Sequence, residues 1–262
     1  MANGGNGSIG GSYQIANAPP KHRLIVAVDG MEKSGKTNFA LTAPGEIAYQ
    51  SLDIGTEGVI DKFQTQKTIH LAQYRCLTEK GDTPEITMKK ALPIWETFLD
   101  DFRKVTIPRM KTGQVRTTVW DTGSEIWELQ RLARLGKLTQ VLPHHYTALN
   151  VEYQNLLKEV YLDTPGNLII LHRLKAEWKN DATGKGTKTG LYERKGFAET
   201  GFAVQVNVAT WRDPKTGTFH LTVKDCRQNE KLMGLDLTDE MATFPWLGVH
   251  VFPDSDLSDW GG

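Results

Sequence analysis

The sequence predicts an α/β fold in which helices cover both faces of a central, mainly parallel sheet. Short apolar runs at 24–28, 46–52, 115–120 and 167–171 each end in a polar residue, as buried parallel strands do. Segments with helical spacing separate these runs, which indicates a βαβ series with right-handed crossovers. From residue 202 onward, two alternating stretches flank a turn at 213–217, so we expect an antiparallel hairpin at the end of the sheet.

Composition limits the function classes. The 262 residues are 39% hydrophobic, enough for one large domain or a core with appendages. Because 31 basic and 31 acidic side chains cancel, any affinity for nucleic acid must come from local clusters of charge. The two cysteines lack metal or redox spacing, and no signal peptide or membrane span is evident. We therefore expect a cytoplasmic protein that does not contact a membrane.

The first strand runs directly into the segment Gly-Met-Glu-Lys-Ser-Gly-Lys-Thr, which satisfies G-x-x-x-x-G-K-[ST]. Gly30 and Gly35 let the main chain wrap closely around phosphate oxygens. Lys36 is expected to reach the β- and γ-phosphates, and Thr37 to offer its hydroxyl to Mg²⁺. The motif predicts an ATP-Mg²⁺ site whose contacts run from the loop into its helix: Gly30, Met31, Glu32, Lys33, Ser34, Gly35, Lys36, Thr37 and Asn38.

The second strand ends in Asp53, with Glu57 four residues later. Acidic groups at the carboxyl end of a strand beside a nucleotide site suggest that one of them activates water. Glu57 is the first candidate and Asp53 the second. Alternatively, either carboxylate only caps the helix expected at 58–63.

A helix is expected from Ala91, with its aromatic face (Trp95, Phe98, Phe102) in the core. The next strand, 115–120, closes on Asp121, and a helix follows at 125–135. A strand-terminal carboxylate opposite a phosphate loop can hold Mg²⁺, so Asp121 and Thr37 are the predicted metal ligands.

After a helix at 146–161, the strand at 167–171 ends in His172. This position suits a polar sensor of the γ-phosphate, which would add His172 to Lys36, Asp53 and Glu57 as candidate catalytic residues. A surface imidazole at a strand end is the alternative.

Residues 173–195 carry seven basic and three acidic side chains, and three glycines interrupt them. We expect a mobile loop or β-ribbon. Basic groups with interleaved aromatic side chains are typical of single-strand DNA binding, although a solvated charged hairpin has the same composition. Lys175 has a second possible role at the nucleotide of a neighbouring subunit. The DNA-binding candidates are Arg173, Lys175, Trp178, Lys179, Lys185, Lys188, Tyr192, Arg194 and Lys195.

The last ten residues are acidic and include Trp260, which we expect to be exposed. They suggest a tail that docks a partner or competes for the DNA site, or an inert tail. The predicted organisation is a flexible Gly-rich leader at 1–20, a nucleotide-binding domain at 21–235 and a C-terminal extension at 236–262.

The phosphate loop, Leu52-Asp53 with Glu57, Val119-Trp120-Asp121-Thr122 and the segment 171–175 occur in the order and spacing of a RecA-like core. Over about residues 22–225 the chain resembles phage-encoded RecA-like/AAA P-loop ATPases, including those proposed as single-strand annealing recombination proteins. The resemblance implies a three-layer RecA-like fold, ATP and Mg²⁺, homo-oligomers on single-stranded DNA and a role in phage recombination or replication.

Three functions are compatible with these features. The first is a DNA-stimulated ATPase of recombination. The second is a nucleotide-switched protein that recruits a replication or single-strand-binding partner through its tail, with little turnover. The third, a small-molecule kinase, lacks an evident Arg-rich lid.

Overall fold

The computed structural model describes residues 22–53, 57–137, 142, 144–180 and 186–261, apart from the side chain of Glu57. The predicted leader therefore lies outside the described residues. The strands are β1 Ile25–Gly30, β2 Ile47–Ser51, β3 Ile69–Gln73, β4 Thr117–Asp121, β5 Asn167–Asn180, β6 Gly186–Arg194, β7 Val206–Arg212, β8 Phe219–Cys226 and β9 Asp236–Thr238.

The sheet has the order β3-β2-β4-β5-β1-β7-β8-β9. Strands β3 to β7 along this order are parallel, whereas β8 and β9 pair antiparallel. Strand β6 pairs antiparallel with residues 174–180 of β5, where β5 extends past the carboxyl ends of the neighbouring strands. The expected mainly parallel sheet with a C-terminal antiparallel hairpin is confirmed.

The helices are α1 Lys36–Leu41, α2 Glu57–Ile60, α3 Pro84–Asp100, α4 Ile107–Lys111, α5 Gly123–Leu135, α6 His145–Asp163, α7 Thr200–Ala203 and α8 Phe244–Val251. A π-helical segment, Asp101–Thr106, joins α3 to α4. Helix α3 begins seven residues before the expected Ala91, because Thr83 caps it by accepting from the Ile86 amide and Pro84 occupies its first turn. Residues 202 and 203, predicted as strand, belong to α7.

Two apolar cores lie on opposite faces of the sheet and give the three layers of the predicted fold class. One core packs α1 and α8 against β1 and β2, with Phe39, Tyr49 and Phe244 fully buried. The other packs α3, α5 and α6 against the opposite face, where Trp95, Phe98 and Trp120 are fully buried. The aromatic face predicted for α3 is therefore core.

Strand order brings the carboxyl ends of four strands side by side. Strand β5 lies between β1 and β4, with Gly30 opposite Arg173 and Leu171 opposite Asp121. On the other side of β4, Asp121 lies opposite Ser51 of β2. The phosphate loop, Asp121 and the residues after β2 consequently share one edge of the sheet.

The C-terminal residues pack against the core. Trp260 was expected to be exposed, but it is fully buried against α8, with its ring centre 6.0 Å from that of Phe244, and its Nε1 donates to Ser255 Oγ at 2.8 Å. Asp256 caps the final 3-10 turn, Leu257–Trp260. In the described part of the chain, no helix has the length and apolar character needed to span a membrane.

Candidate functional site

The backbone of the phosphate loop is set by two close approaches. A Cβ on Gly30 would lie 2.6 Å from Thr210 Oγ1, and one on Gly35 would lie 2.6 Å from the ring of Phe219. Gly35 also has a φ of 92°, which side chains with a Cβ rarely adopt. Ser34 Oγ lies 2.8 Å from Thr210 Oγ1, a hydrogen bond that joins the loop to β7. The loop is therefore held against the β7–β8 hairpin.

Lys36 lies inside the curve of this loop. Its ammonium donates to the carbonyl oxygens of Gly30 at 2.8 Å and Met31 at 2.7 Å. Burial lowers the pKa of Lys36, while the negative charge of Asp121 opposes that shift. The ammonium thus lies where phosphate oxygens wrapped by the loop would meet it.

Asp121 ends β4 at the same edge and is only 2% exposed. Thr37 Oγ1 donates to Asp121 Oδ2 at 3.4 Å, and the hydroxyl of Tyr49 donates to the same oxygen. Burial raises the pKa of Asp121 to about 6, against the opposing effect of the Tyr49 hydrogen bond. A buried carboxylate without a full counter-charge favours a cation beside it.

The donor set fits Mg²⁺, which prefers one or two protein oxygens and completes its shell with phosphate and water. Thr37 and Asp121 supply a hydroxyl and a carboxylate on adjoining elements. Across the described ranges, no cluster of three or more His, Cys, Asp or Glu side chains is placed to hold a metal. With only these two protein oxygens, the arrangement of Thr37 and Asp121 suits a Mg²⁺ that phosphate and water also coordinate.

The two candidate carboxylates after β2 differ in what the structure describes. Asp53 donates its amide to the Asp121 carbonyl at 3.3 Å, and its Oδ1 lies 3.3 Å from Arg173 Nη2. Arg173 also contacts Glu125 of α5, with Nη1 to Oε1 at 3.1 Å. The side chain of Glu57, at the start of α2, lies outside the described residues.

His172 faces the other side of the sheet from the phosphate loop. Along β5 it shares its face with Leu168 and Ile170, which pack in the core under α5. It is fully buried, its Nδ1 lies 3.5 Å from Ser124 Oγ, and burial lowers its pKa well below the ordinary value. This placement argues against His172 as a γ-phosphate sensor, because strand alternation turns its side chain away from the nucleotide edge.

The basic segment forms a two-stranded ribbon from the outer part of β5 and β6. Trp178 and Tyr192 are each 58% exposed, and the Lys188 ammonium lies 5.4 Å from the centre of the Trp178 ring. In the pairing of the two strands, Lys188 lies opposite Trp178, and Tyr192 lies opposite Ala176, with a register shift between these pairs. We call the surface that carries Trp178, Lys188 and Tyr192 the aromatic face.

The opposite face of the ribbon carries paired charges. Lys175 contacts Glu193 at 3.1 Å and Lys179 contacts Glu177 at 3.3 Å. Lys185 lies outside the described residues. Because Lys175 and Lys179 each have an acidic neighbour, the aromatic face is the more favourable surface for a nucleic-acid strand.

Two predicted DNA contacts lie at the base of the ribbon instead. Arg194 makes a two-pronged ion pair with Asp29, at 2.7 and 2.8 Å, and its side chain is only 13% exposed. Lys195 lies 3.3 Å from Glu125. The structure therefore assigns Arg194 to holding the ribbon on β1, since a paired, largely buried guanidinium is a poor DNA contact.

Sequence reasoning missed Tyr49, Glu125 and Phe219. Tyr49 belongs to an apolar strand, and its hydroxyl meets Asp121 across 72 residues of chain. Glu125 looked like a first-turn helix acid, and Phe219 like an ordinary hairpin residue. These three residues can be recognised as part of the site only when the strand order shows which residues lie beside them.

Comparison with known proteins gives a distant likeness in fold. No protein-family model matches the chain, and no curated protein sequence matches it. Among solved structures, the chain is similar to the RadB recombinase, with 12% identity over 84% of this chain and 86% of that chain and a TM-score of 0.46. At this identity and TM-score, the likeness carries no information on activity.

Proposed function

We propose that this protein binds and hydrolyses ATP with Mg²⁺ and acts on single-stranded DNA in recombination or replication, in the manner of the phage ATPases that it resembles. One observation carries the proposal: strand β5 runs without a break from the nucleotide edge of the sheet into the ribbon with the aromatic face. The nucleotide would then bind at one half of strand β5 and the DNA at the other half.

At the nucleotide edge, the loop amides and Lys36 bind the phosphates, while Thr37 and Asp121 hold the metal. Mg²⁺ held by Thr37 and Asp121 would neutralise negative charge on the phosphates. Asp53 and Glu57 are the candidates for orienting or deprotonating the attacking water. Asp53 lies within the electrostatic reach of both Lys36 and Asp121, because its charge affects the pKa of each.

On the ribbon, Trp178 and Tyr192 offer aromatic rings for stacking, and Lys188 adds a positive charge beside Trp178. Stacking of a base on an aromatic side chain contributes about 1–3 kcal/mol and tolerates any base. We therefore propose DNA binding without strong sequence preference, together with assembly of several copies along one strand.

The primary test measures ATP hydrolysis with and without single-stranded DNA, over a range of salt concentrations. We expect stimulation by DNA and DNA binding that weakens with salt. The variant Lys36→Ala should lose nucleotide binding and reports on the site alone. Absence of both stimulation and salt-sensitive DNA binding would refute the proposal.

A second test separates the aromatic face from its surroundings. Replacing Trp178 and Tyr192 by alanine should weaken DNA binding by about 10-fold or more, as expected from the loss of stacking. The matched control is Leu191→Ala, an exposed apolar side chain of the same ribbon that is not one of the three aromatic-face residues. Equal effects of the two changes would contradict a stacking surface.

Tight nucleotide binding with negligible turnover would instead support a nucleotide-switched interaction protein. The burial of Trp260 leaves the ribbon, more than the C-terminal residues, as the surface for a replication partner in that case.

A further inference from the structure

We propose that Arg173 recognises the γ-phosphate of the bound nucleotide by exchanging its contact with Asp53 for the phosphate. The inference rests on the proposed function and adds a residue that distinguishes a triphosphate from a diphosphate. We assign the role of γ-phosphate sensor to Arg173 and not to the preceding residue, His172, because of the position, charge and contacts of Arg173.

Position is the first ground. Arg173 lies opposite Gly30, the first residue of the phosphate loop, on the strand next to it. Its guanidinium reaches Asp53, which follows β2, two strands away from β5 in the sheet order. The side chain therefore crosses the end of β4, where Asp121 lies. The guanidinium thus lies in the space between Lys36, the two proposed metal ligands and Asp53.

Charge is the second ground. Arg173 lies opposite Gly30, whose carbonyl oxygen accepts a hydrogen bond from the Lys36 ammonium at 2.8 Å, so both cations belong to the same end of two adjoining strands. A γ-phosphate bound beside Lys36 would place its negative charge within the field of both cations. A guanidinium also offers paired donors that match the geometry of phosphate oxygens.

The present contacts of Arg173 are ones that a phosphate can replace. The side chains of Arg173 and Asp53 are 36% and 31% exposed, and their closest approach is 3.3 Å, outside ideal hydrogen-bond geometry. Partly exposed ion pairs of this kind contribute little net free energy. Breaking the pair would leave Asp53 free to accept a hydrogen bond from water.

The same arginine links the nucleotide to the ribbon. Arg173 and Lys195 lie at the base of its two strands, and both contact Glu125 Oε1, at 3.1 and 3.3 Å. The amide of Lys195 also donates to the carbonyl of Arg173 at 2.8 Å. Movement of Arg173 toward a phosphate therefore alters the contacts of both strands of the ribbon.

The other cations at this edge have contacts elsewhere. Arg194 is paired with Asp29 on the opposite face, and Lys195 contacts Glu125 but makes no contact with Asp53 among the described residues. Arg173 is thus the described cation best placed to bridge from the phosphate loop to Asp53.

The test compares the binding of ADP with that of a non-hydrolysable ATP analogue, each with Mg²⁺. Arg173→Ala should weaken binding of the analogue by about 10- to 100-fold, the range expected for charge-assisted hydrogen bonds, and leave ADP within about 3-fold. The matched control is Arg103→Ala, which removes an arginine of similar exposure paired with Glu159 on the surface of the helical layer. That control should change neither affinity.

A double-mutant cycle addresses the exchange with Asp53. Asp53→Asn should tighten binding of the analogue by several-fold because the phosphate no longer competes with a carboxylate. That gain should disappear in the Arg173→Ala background. Arg173→Lys keeps the charge without the paired donors and should recover only part of the affinity.

The outcomes separate the two proposals. If the wild type binds neither nucleotide, the proposed function fails. If Arg173→Ala weakens ADP and the analogue equally, or if the gain from Asp53→Asn persists without Arg173, the role of Arg173 is refuted while nucleotide binding stands. If thermal unfolding without nucleotide shows that Arg173→Ala has lost its fold, Arg173→Lys is used instead. Equal weakening of ADP binding and analogue binding by Arg173→Lys then overturns the inference.

Discussion

The replacement Asp121→Asn should make the nucleotide-free protein more stable, although it removes a proposed metal ligand. The carboxyl group is 2% exposed, and its pKa rises from 3.8 to about 6 because burial disfavours its charged form. Asparagine has nearly the same shape, carries no charge and still accepts the hydrogen bond from Tyr49. The change therefore removes the net cost of that buried charge, in which the attraction of Lys36 is already included.

The magnitude follows from the shift in pKa. A group whose folded pKa is raised contributes most stability below its unfolded pKa, and that contribution is lost as the pH rises through the folded pKa. Here the loss begins near pH 4 and is complete above about pH 7, since the two pKa values are 3.8 and about 6. At about 1.4 kcal/mol per pKa unit, the full effect is about 3 kcal/mol at pH 8 and roughly half of that at pH 5.

The assay is urea unfolding of wild type and Asp121→Asn at pH 5 and pH 8, without nucleotide and with an ATP analogue plus Mg²⁺. Without nucleotide, the variant should be the more stable protein, by a margin that grows with pH. With Mg²⁺ and the analogue, the wild type should gain more stability, because its carboxylate then faces a cation. A variant less stable than wild type at pH 8, or a difference independent of pH, would refute the reasoning.

Three further predictions concern the hydrogen bond to Asp121, the phosphate loop and the packing of the C-terminal residues. Tyr49→Phe removes a hydroxyl that donates to Asp121, so the pKa of Asp121 should rise further and Mg²⁺-dependent nucleotide binding should require a higher pH; an unchanged pH profile would count against that hydrogen bond. Gly35→Ala should cost about 1–3 kcal/mol and weaken nucleotide binding, measured by unfolding and calorimetry, because the new Cβ meets Phe219 at a φ of 92°. Trp260→Ala should cost about 3–5 kcal/mol in urea unfolding, and a change below 1 kcal/mol would indicate that the C-terminal residues do not pack on the core.

Local patterns predicted much of the nucleotide edge. The phosphate loop is recognisable because its spacing is contiguous, and Asp121 because it ends a β-branched run before a helix. The fold class followed from apolar runs alternating with helical segments. All of these signals lie within short stretches of chain, where spacing alone carries the information.

What escaped prediction depends on which strands are neighbours. The face of the sheet on which His172 is buried depends on the register of β5 in the sheet, which sequence spacing alone does not specify. The pairing of Arg194 with Asp29 joins residues 165 positions apart. Trp260 was expected in solvent because an acidic stretch short of basic residues is typical of a tail, yet this large apolar side chain, at the end of a capped turn, packs in the core.

The contact of the phosphate loop with the β7–β8 hairpin has an entropic consequence. Ser34 is hydrogen-bonded to Thr210, and Gly35 packs against the ring of Phe219. The loop therefore loses its conformational freedom when the protein folds, before any nucleotide binds. A binding loop ordered in advance gives up little further entropy on association, so more of its contact energy appears as affinity. Loosening the hairpin should thus weaken nucleotide binding from a distance, without removing any group that touches phosphate.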